Sequence, residues 1–169
     1  MNELTETEKA YLAGFIDGEG CIHICSSNNK RSPIPAYRLM VAISQADREY
    51  LERWRLKLGA GNVHKSGPGS IPGNKQVYNW QIYGREAEML LRLVLPYLDI
   101  KREQAEVALK FRATVDKQGG GGRVTPSSII RQREAYAQQL HALKRGGDPI
   151  EQAEEEAHIA AQQALWGDI

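Results

Sequence analysis

A chain of 169 residues, 41% hydrophobic and 25% charged, has an ordinary globular composition and can bury roughly 70% of its extended surface without a disulfide or metal staple. Residues 11–16, the longest early apolar run, are far too short to span a bilayer, and Met1-Asn2-Glu3-Leu4 has no basic leader. A soluble, intracellular protein with no membrane partner and no small-molecule substrate is expected.

Thr5-Glu6-Thr7-Glu8 has the form of a capping box, so a helix should start near Glu6 and run to the glycines at 18 and 20. Residues 21–26 then alternate with a period of two, as a strand does. Cys21 and Cys25 lie about 13 Å apart on such a strand, beyond disulfide reach, and read as reduced thiols. The polar stretch SSNNKRSPIP leads to a second alternating strand over 36–44, and the two make a hairpin with a long loop. Asp47 is placed to cap a helix through Leu58, with Tyr50, Leu51, Trp54 and Leu58 as its apolar stripe and Gly59 as its stop.

Asn62–Lys65 reads as a short strand, SGPGSIPGN as a loop, and 76–83 as a strand. On that strand Tyr78, Trp80 and Ile82 share one face, and Val77, Asn79 and Gln81 the other. A helix over 85–95 should stop at Pro96, and another should run over 101–116. QGGGG at 118–122 is a flexible joint. Ser127 or Ser128 begins a helix to Lys144, and Pro149 opens a last one. The order is α-β-β-α-β-β-α with extra C-terminal helices, an α+β fold. Residues 1–117 form its core and 118–169 a helical extension of the same domain.

The net charge of +1 hides an uneven distribution. Residues 146–169 hold six acids and no Lys or Arg, which leaves 22 basic against 15 acidic residues in 1–145. That acidic tail reads as a solvated helix or a partner-docking element. Segments 21–46 and 60–85 contain no Asp or Glu, yet carry Lys30, Arg31, Arg38, Lys65, Lys75 and Arg85. Acid-free, strand-rich segments are a footprint for a polyanion.

The chemistry-bearing stretch is 12–20, LAGFIDGEG. Leu12, Phe15 and Ile16 fall on one helical face, and Ala10, Gly14 and Gly18 line another with Ala13. A helical glycine costs about 1 kcal/mol against alanine, and close approach of a second helix is the usual reason for it. Asp17 and Glu19 sit at the helix C-terminus, where the dipole disfavours negative charge, which points to a bound cation or simply to two solvated acids.

This nonapeptide resembles the signature of the LAGLIDADG homing endonucleases, with conservative departures at Phe15, Gly18 and Glu19. The resemblance extends over residues 5 to about 116 and implies that family's fold, with a saddle-shaped antiparallel sheet. A single copy of the motif implies the homodimeric branch, with Ala10, Ala13, Gly14 and Asp17 at the dimer interface. The implied activity is intron homing: a metal-dependent double-strand break in a long, partly palindromic DNA target.

Residue by residue, the resemblance makes Glu19 the metal ligand with the Gly18 carbonyl beside it. Gln45 orders water near the scissile phosphate, and Lys101 is the lysine before the late helix. The family's usual basic residue one turn after the glutamine is Glu49 here, so Arg48 stands in its place as a catalytic candidate. Mg²⁺ is the expected ion, with Mn²⁺ as a substitute and Ca²⁺ supporting binding without efficient cleavage.

Base reading is expected from the outward sheet face, through His23, Cys25, Arg38, Met40, His64, Val77, Asn79 and Gln81. Lys30, Arg31, Lys65 and Lys75 are expected on phosphates. The alternatives are an RNA splicing maturase, a non-cleaving DNA-binding regulator of the same fold, and a dimeric scaffold whose glycine helix is only an interface.

Overall fold

The computed structural model describes residues 2–27, 35–66, 75–116 and 125–145. Its elements are α1 (Glu6–Glu19), β1 (Gly20–Ser27), β2 (Ala36–Gln45), α2 (Arg48–Leu58), β3 (Asn62–Lys65), β4 (Tyr78–Tyr83), α3 (Gly84–Val94), α4 (Arg102–Asp116) and α5 (Ser127–Arg145). The expected order α-β-β-α-β-β-α is therefore present, followed by two further helices. The QGGGG joint, the acidic tail with its last helix, and Lys30 and Arg31 lie outside the described residues.

Local chemistry sets most of the boundaries. At the start of α1 the Glu8 N–H donates to Thr5 Oγ1 at 3.4 Å and the Thr5 N–H to Glu8 Oε2 at 2.9 Å, a reciprocal capping box. Asp47 Oδ1 accepts the Tyr50 N–H at 3.0 Å to open α2. Gly59 closes α2 at φ 71°, a left-handed cap that a side chain would strain. One boundary differs from the sequence expectation. β4 starts at Tyr78, because Gln76 turns its amide onto the Ser66 carbonyl at 3.2 Å. As expected, α3 ends ahead of Pro96, which sits in a 3₁₀ turn, Leu95–Tyr97, where its missing N–H costs no bond.

The four strands form one antiparallel sheet in the order β1-β2-β4-β3. Its inward side chains, Ile22, Ile24, Leu39, Val41, Ile43, Trp80 and Ile82, are buried in one core with Leu12 and Ile16 of α1, Leu51 and Leu58 of α2, Leu90 and Leu91 of α3, and Phe111 of α4. Each such large apolar side chain contributes about 1.5–3 kcal/mol relative to exposure. Trp80 also donates its indole N–H to the Ala60 carbonyl at 3.0 Å, so its polar edge is satisfied inside the core. Helix α5 joins the same core through Leu140, and Arg133 donates to the Thr114 carbonyl of α4 at 2.9 Å.

Between α3 and α4, Glu88 accepts from Arg92 at 2.9 Å and from the buried Arg112 at 3.2 Å. Burial works to raise the Glu88 carboxyl, but those two arginines hold it below the usual carboxylate range.

Candidate active site

The end of α1 is shaped by Asp17-Gly18-Glu19-Gly20. The Gly20 N–H closes on the Ile16 carbonyl, and a Cβ at Gly20 would lie 2.6 Å from that oxygen. Only glycine lets the helix turn directly into β1 here.

Asp17 faces inward. It is 9% exposed, and its carboxylate accepts the Asp99 and Lys101 backbone N–H groups, each at 2.8 Å. These donors lie just ahead of α4, where a negative charge is favoured by the helix dipole. In return the Lys101 ammonium donates to the Asp17 carbonyl. Segment 98–101 is thus clipped to α1, and the lysine's charge sits at the negative end of the motif helix.

Glu19 behaves differently. It is exposed, and among the described residues no hydrogen bond or ion pair engages its carboxylate. Gln45 ends β2. Gly20, where α1 gives way to β1, pairs with Ile43, two residues before Gln45. The Gln45 Oε1 accepts the Ala46 N–H at 2.8 Å, which fixes the amide, and its NH₂ has no partner among the described residues. Arg48 opens α2 with its guanidinium 5.8 Å from the ring centre of Tyr78, the residue paired with Gln45, and 3.7 Å from Glu52. Glu19, Gln45, Lys101 and Arg48 therefore collect at one end of the sheet.

The interface expectation needs correction at two of its four positions. Ala13 is fully buried in its own core, and Asp17 is committed to α4. Neither is available to a partner. Ala10 and Gly14 are exposed, and Gly18 joins them. A Cβ on Gly14 or Gly18 would meet nothing within 4 Å. Tyr11 flanks this strip, 56% exposed and stacked on Trp54 at 5.6 Å between ring centres. The electrostatic argument also divides: Asp17 is balanced by N–H groups and Lys101, whereas Glu19 is left unbalanced.

The outward sheet face follows from strand register. One row holds Cys25 and Arg38, the next His23, Met40 and Tyr83. A third holds Cys21, Ala42, Gln81 and Asn62, and a fourth Ser44, Asn79 and His64. Ser44 donates to Asn79 Oδ1 at 2.6 Å. Val77 lies beyond β4, with its carbonyl accepting the Ser66 N–H at 2.9 Å, and Lys65 and Lys75 are exposed nearby. Of the expected sheet residues that are described, all but Val77 and Lys75 sit within strands; these two extend the face at its edge.

A family model for the LAGLIDADG endonucleases matches residues 12–102, more than half of the chain. The chain belongs to the LAGLIDADG endonuclease family. It is similar in structure to the homing endonuclease I-CvuI in complex with the I-CreI target, with 22% identity, 82% of each chain covered and a TM-score of 0.70. The archaeal intron-encoded homing endonuclease I-Vdi141I, complexed with DNA, matches at 16% identity over 82% of this chain and 84% of its own, with a TM-score of 0.67. The homing endonuclease I-TnaI matches at 19% identity over 85% and 96%, with a TM-score of 0.60. At these identities the likeness establishes the fold. No curated protein matches the chain. Divalent ions accompany the family: I-CvuI complexes have been seen with Mg and with Ca.

In this endonuclease three features escaped sequence reading. The first is the Asp17 clip, which joins residues more than eighty positions apart. The second is Tyr83, whose ring faces outward and lies 3.8 Å from the Arg38 guanidinium. The third is Lys144 of α5, which reaches over the β1 edge to within 3.2 Å of Cys21 Sγ and 3.1 Å of His23 Nδ1. Burial first, then Lys144 and His141, holds the His23 imidazole below its ordinary range. Helix caps and strand alternation, which are local, carried no signal for these long-range meetings.

No helix among the described residues is long and apolar enough to cross a membrane. Among those residues no three His, Cys, Asp or Glu side chains come together to hold a metal. One chain offers the Glu19 carboxylate and the Gly18 carbonyl, both oxygen donors. Such a set fits a hard divalent ion that keeps much of its water.

Proposed function

We propose that two copies of this chain, joined through the open face of α1, make a site-specific double-strand break in a long, partly palindromic DNA duplex. One observation carries the reading: Glu19, whose carboxylate has no partner among the described residues, stands at the end of a helix whose small-residue face nothing in its own protomer requires. Pairing two such helices brings two carboxylates to one centre, one for each DNA strand.

The Glu19 carboxylate and the Gly18 carbonyl would hold a divalent ion, Mg²⁺ by preference. Such an ion neutralises charge on the scissile phosphate and lowers the pKa of water. The rest falls to the protein. Gln45, with its Oε1 already occupied, keeps its NH₂ available to orient water. Lys101 supplies a fixed positive charge, held in place by the Asp17 carbonyl rather than free to swing. Arg48 stands at the rim, its charge shared with Glu52 and Tyr78, and steadies a neighbouring phosphate. Recognition falls to the outward sheet face, where Arg38, Asn79, Gln81 and His64 meet base edges; Lys75 at its edge and Lys65 at the end of β3 meet phosphates.

The test starts from duplexes enriched by the protein out of a randomised DNA library. An enriched duplex incubated with Mg²⁺ should be cut on both strands, with no cutting in a chelator and binding without efficient cutting in Ca²⁺. Enrichment without cleavage in any divalent ion would replace this reading with that of a DNA-binding regulator.

A further inference from the structure

On the outward sheet face, β4 ends at Tyr83, and Gly84, at φ 56°, turns the chain away into α3. A residue with a side chain would be strained at that φ, so the strand must stop here. Tyr83 pairs with Met40, which leaves Arg38, two residues back on β2, with no β4 neighbour on its own row. The Tyr83 ring fills that place. The Arg38 guanidinium lies 3.8 Å from the ring centre, within the range of a cation–π contact. The Tyr83 hydroxyl, in turn, donates to Gln81 Oε1.

We propose that Tyr83 is a positioning residue for specificity, holding Arg38 and Gln81 in place to read hydrogen-bond acceptors in the DNA major groove. The inference rests on the proposed DNA-cleaving function and adds what that surface selects. Stacking engages the flat face of the guanidinium and leaves its in-plane N–H fork free, which is the geometry that matches O6 and N7 of guanine. A long, exposed arginine otherwise loses rotamer freedom when it binds, and an aromatic shelf removes part of that cost beforehand. Gln81 is biased the same way: with its Oε1 taken by the hydroxyl, it presents NH₂ donors. The two side chains together favour a guanine under Arg38 and an acceptor-rich edge under Gln81. On the row between, Met40 has no hydrogen-bond donor and the Nδ1 of His23 is engaged by Lys144 at 3.1 Å. Symmetry of the dimer repeats the preference in both half-sites.

The experiment compares wild type, Tyr83→Phe, Tyr83→Leu, Arg38→Ala and the Arg38→Ala/Tyr83→Leu double variant. Each is used to select duplexes from the same randomised DNA library, and thermal unfolding checks that each is folded. Wild type should enrich guanine at one pair of symmetric positions that Arg38→Ala relaxes. Tyr83→Leu should weaken that guanine preference about 2- to 5-fold, the size of an exposed cation–π contact. Tyr83→Phe keeps the ring, so it should retain the guanine and relax only the position read by Gln81. In the Arg38→Ala background Tyr83→Leu should change that guanine position no further. If Tyr83→Leu keeps the wild-type guanine preference, or lowers affinity for every sequence equally, the positioning role is overturned while sequence-specific binding stands. A wild-type protein that enriches no sequence overturns the DNA-reading function itself.

Discussion

On the inward face of α1, Leu12, Ala13, Ile16 and Asp17 are buried, and each is engaged by its own chain, the first three in the core and Asp17 by the N–H groups ahead of α4. On the outward face, Ala10, Gly14 and Gly18 are exposed, and side chains added to the glycines would touch nothing. One helix thus carries two kinds of constraint, a turn apart. The inward residues are explained by folding alone. The outward ones are explained only by something outside the protomer. Substitutions on the two faces should therefore fail in different assays.

The largest effect belongs to the end where the faces meet. Glu19→Gln removes the uncommitted carboxylate at the end of α1, and cleavage of a selected duplex should fall by about a hundredfold or more, the scale seen when one electrostatic partner of a transition state is lost. Binding, measured by gel shift, should survive. Undiminished cutting would reject Glu19 as the ligand.

Asp17→Ala strikes the inward face. It strips partners from two N–H groups that then stay poorly solvated, and should cost about 2–3 kcal/mol in urea unfolding. Cleavage should fall as well, because Lys101 loses its anchor. A variant as stable as wild type would mean that segment 98–101 docks without the carboxylate.

Gly14→Leu tests the outward face. Overpacking where two backbones meet should weaken the dimer by about 1–3 kcal/mol per site, read as a shift toward monomer in a sizing dilution series. Secondary structure of the protomer should be unchanged, since the added side chain meets open space. A stable wild-type monomer without DNA would end the comparison.

The smallest effect is one of pH. Burial, Lys144 and His141 hold the His23 imidazole below its reference of 6.5. Between the folded and reference values the unfolded chain binds the extra proton, so the stability this group contributes is present above 6.5 and lost as pH falls below it. His23→Asn should flatten that part of the stability profile in denaturant titrations, and an unchanged slope would assign the acid sensitivity to another group.

Features that depend on near neighbours were legible in the sequence. Thr5 with Glu8, Asp47 and Gly59 announce helix ends because their bonds close within four residues. Strand alternation correctly sorted Trp80 and Ile82 from Asn79 and Gln81. The motif marked the end of α1, but its helical period alone could not separate Gly14 from Asp17. That distinction depends on a segment that returns from residues 98–101 to cover one side. Tyr83 was missed because its ring was counted with neither strand face, and its meeting with Arg38 arises only from the register between β2 and β4. Lys144 lies 121 positions from His23, a separation no local pattern spans.

The open strip of α1 also governs how activity depends on amount. A cutting centre completed by two chains is subject to mass action, and the folded, active species becomes inseparable from protomer concentration. Well below the dissociation constant, the active dimer falls as the square of the protein present, so halving the supply quarters the nuclease. Scarcity then acts as a safeguard: a cell that makes little of this chain holds mostly single protomers, none able to complete a double-strand break.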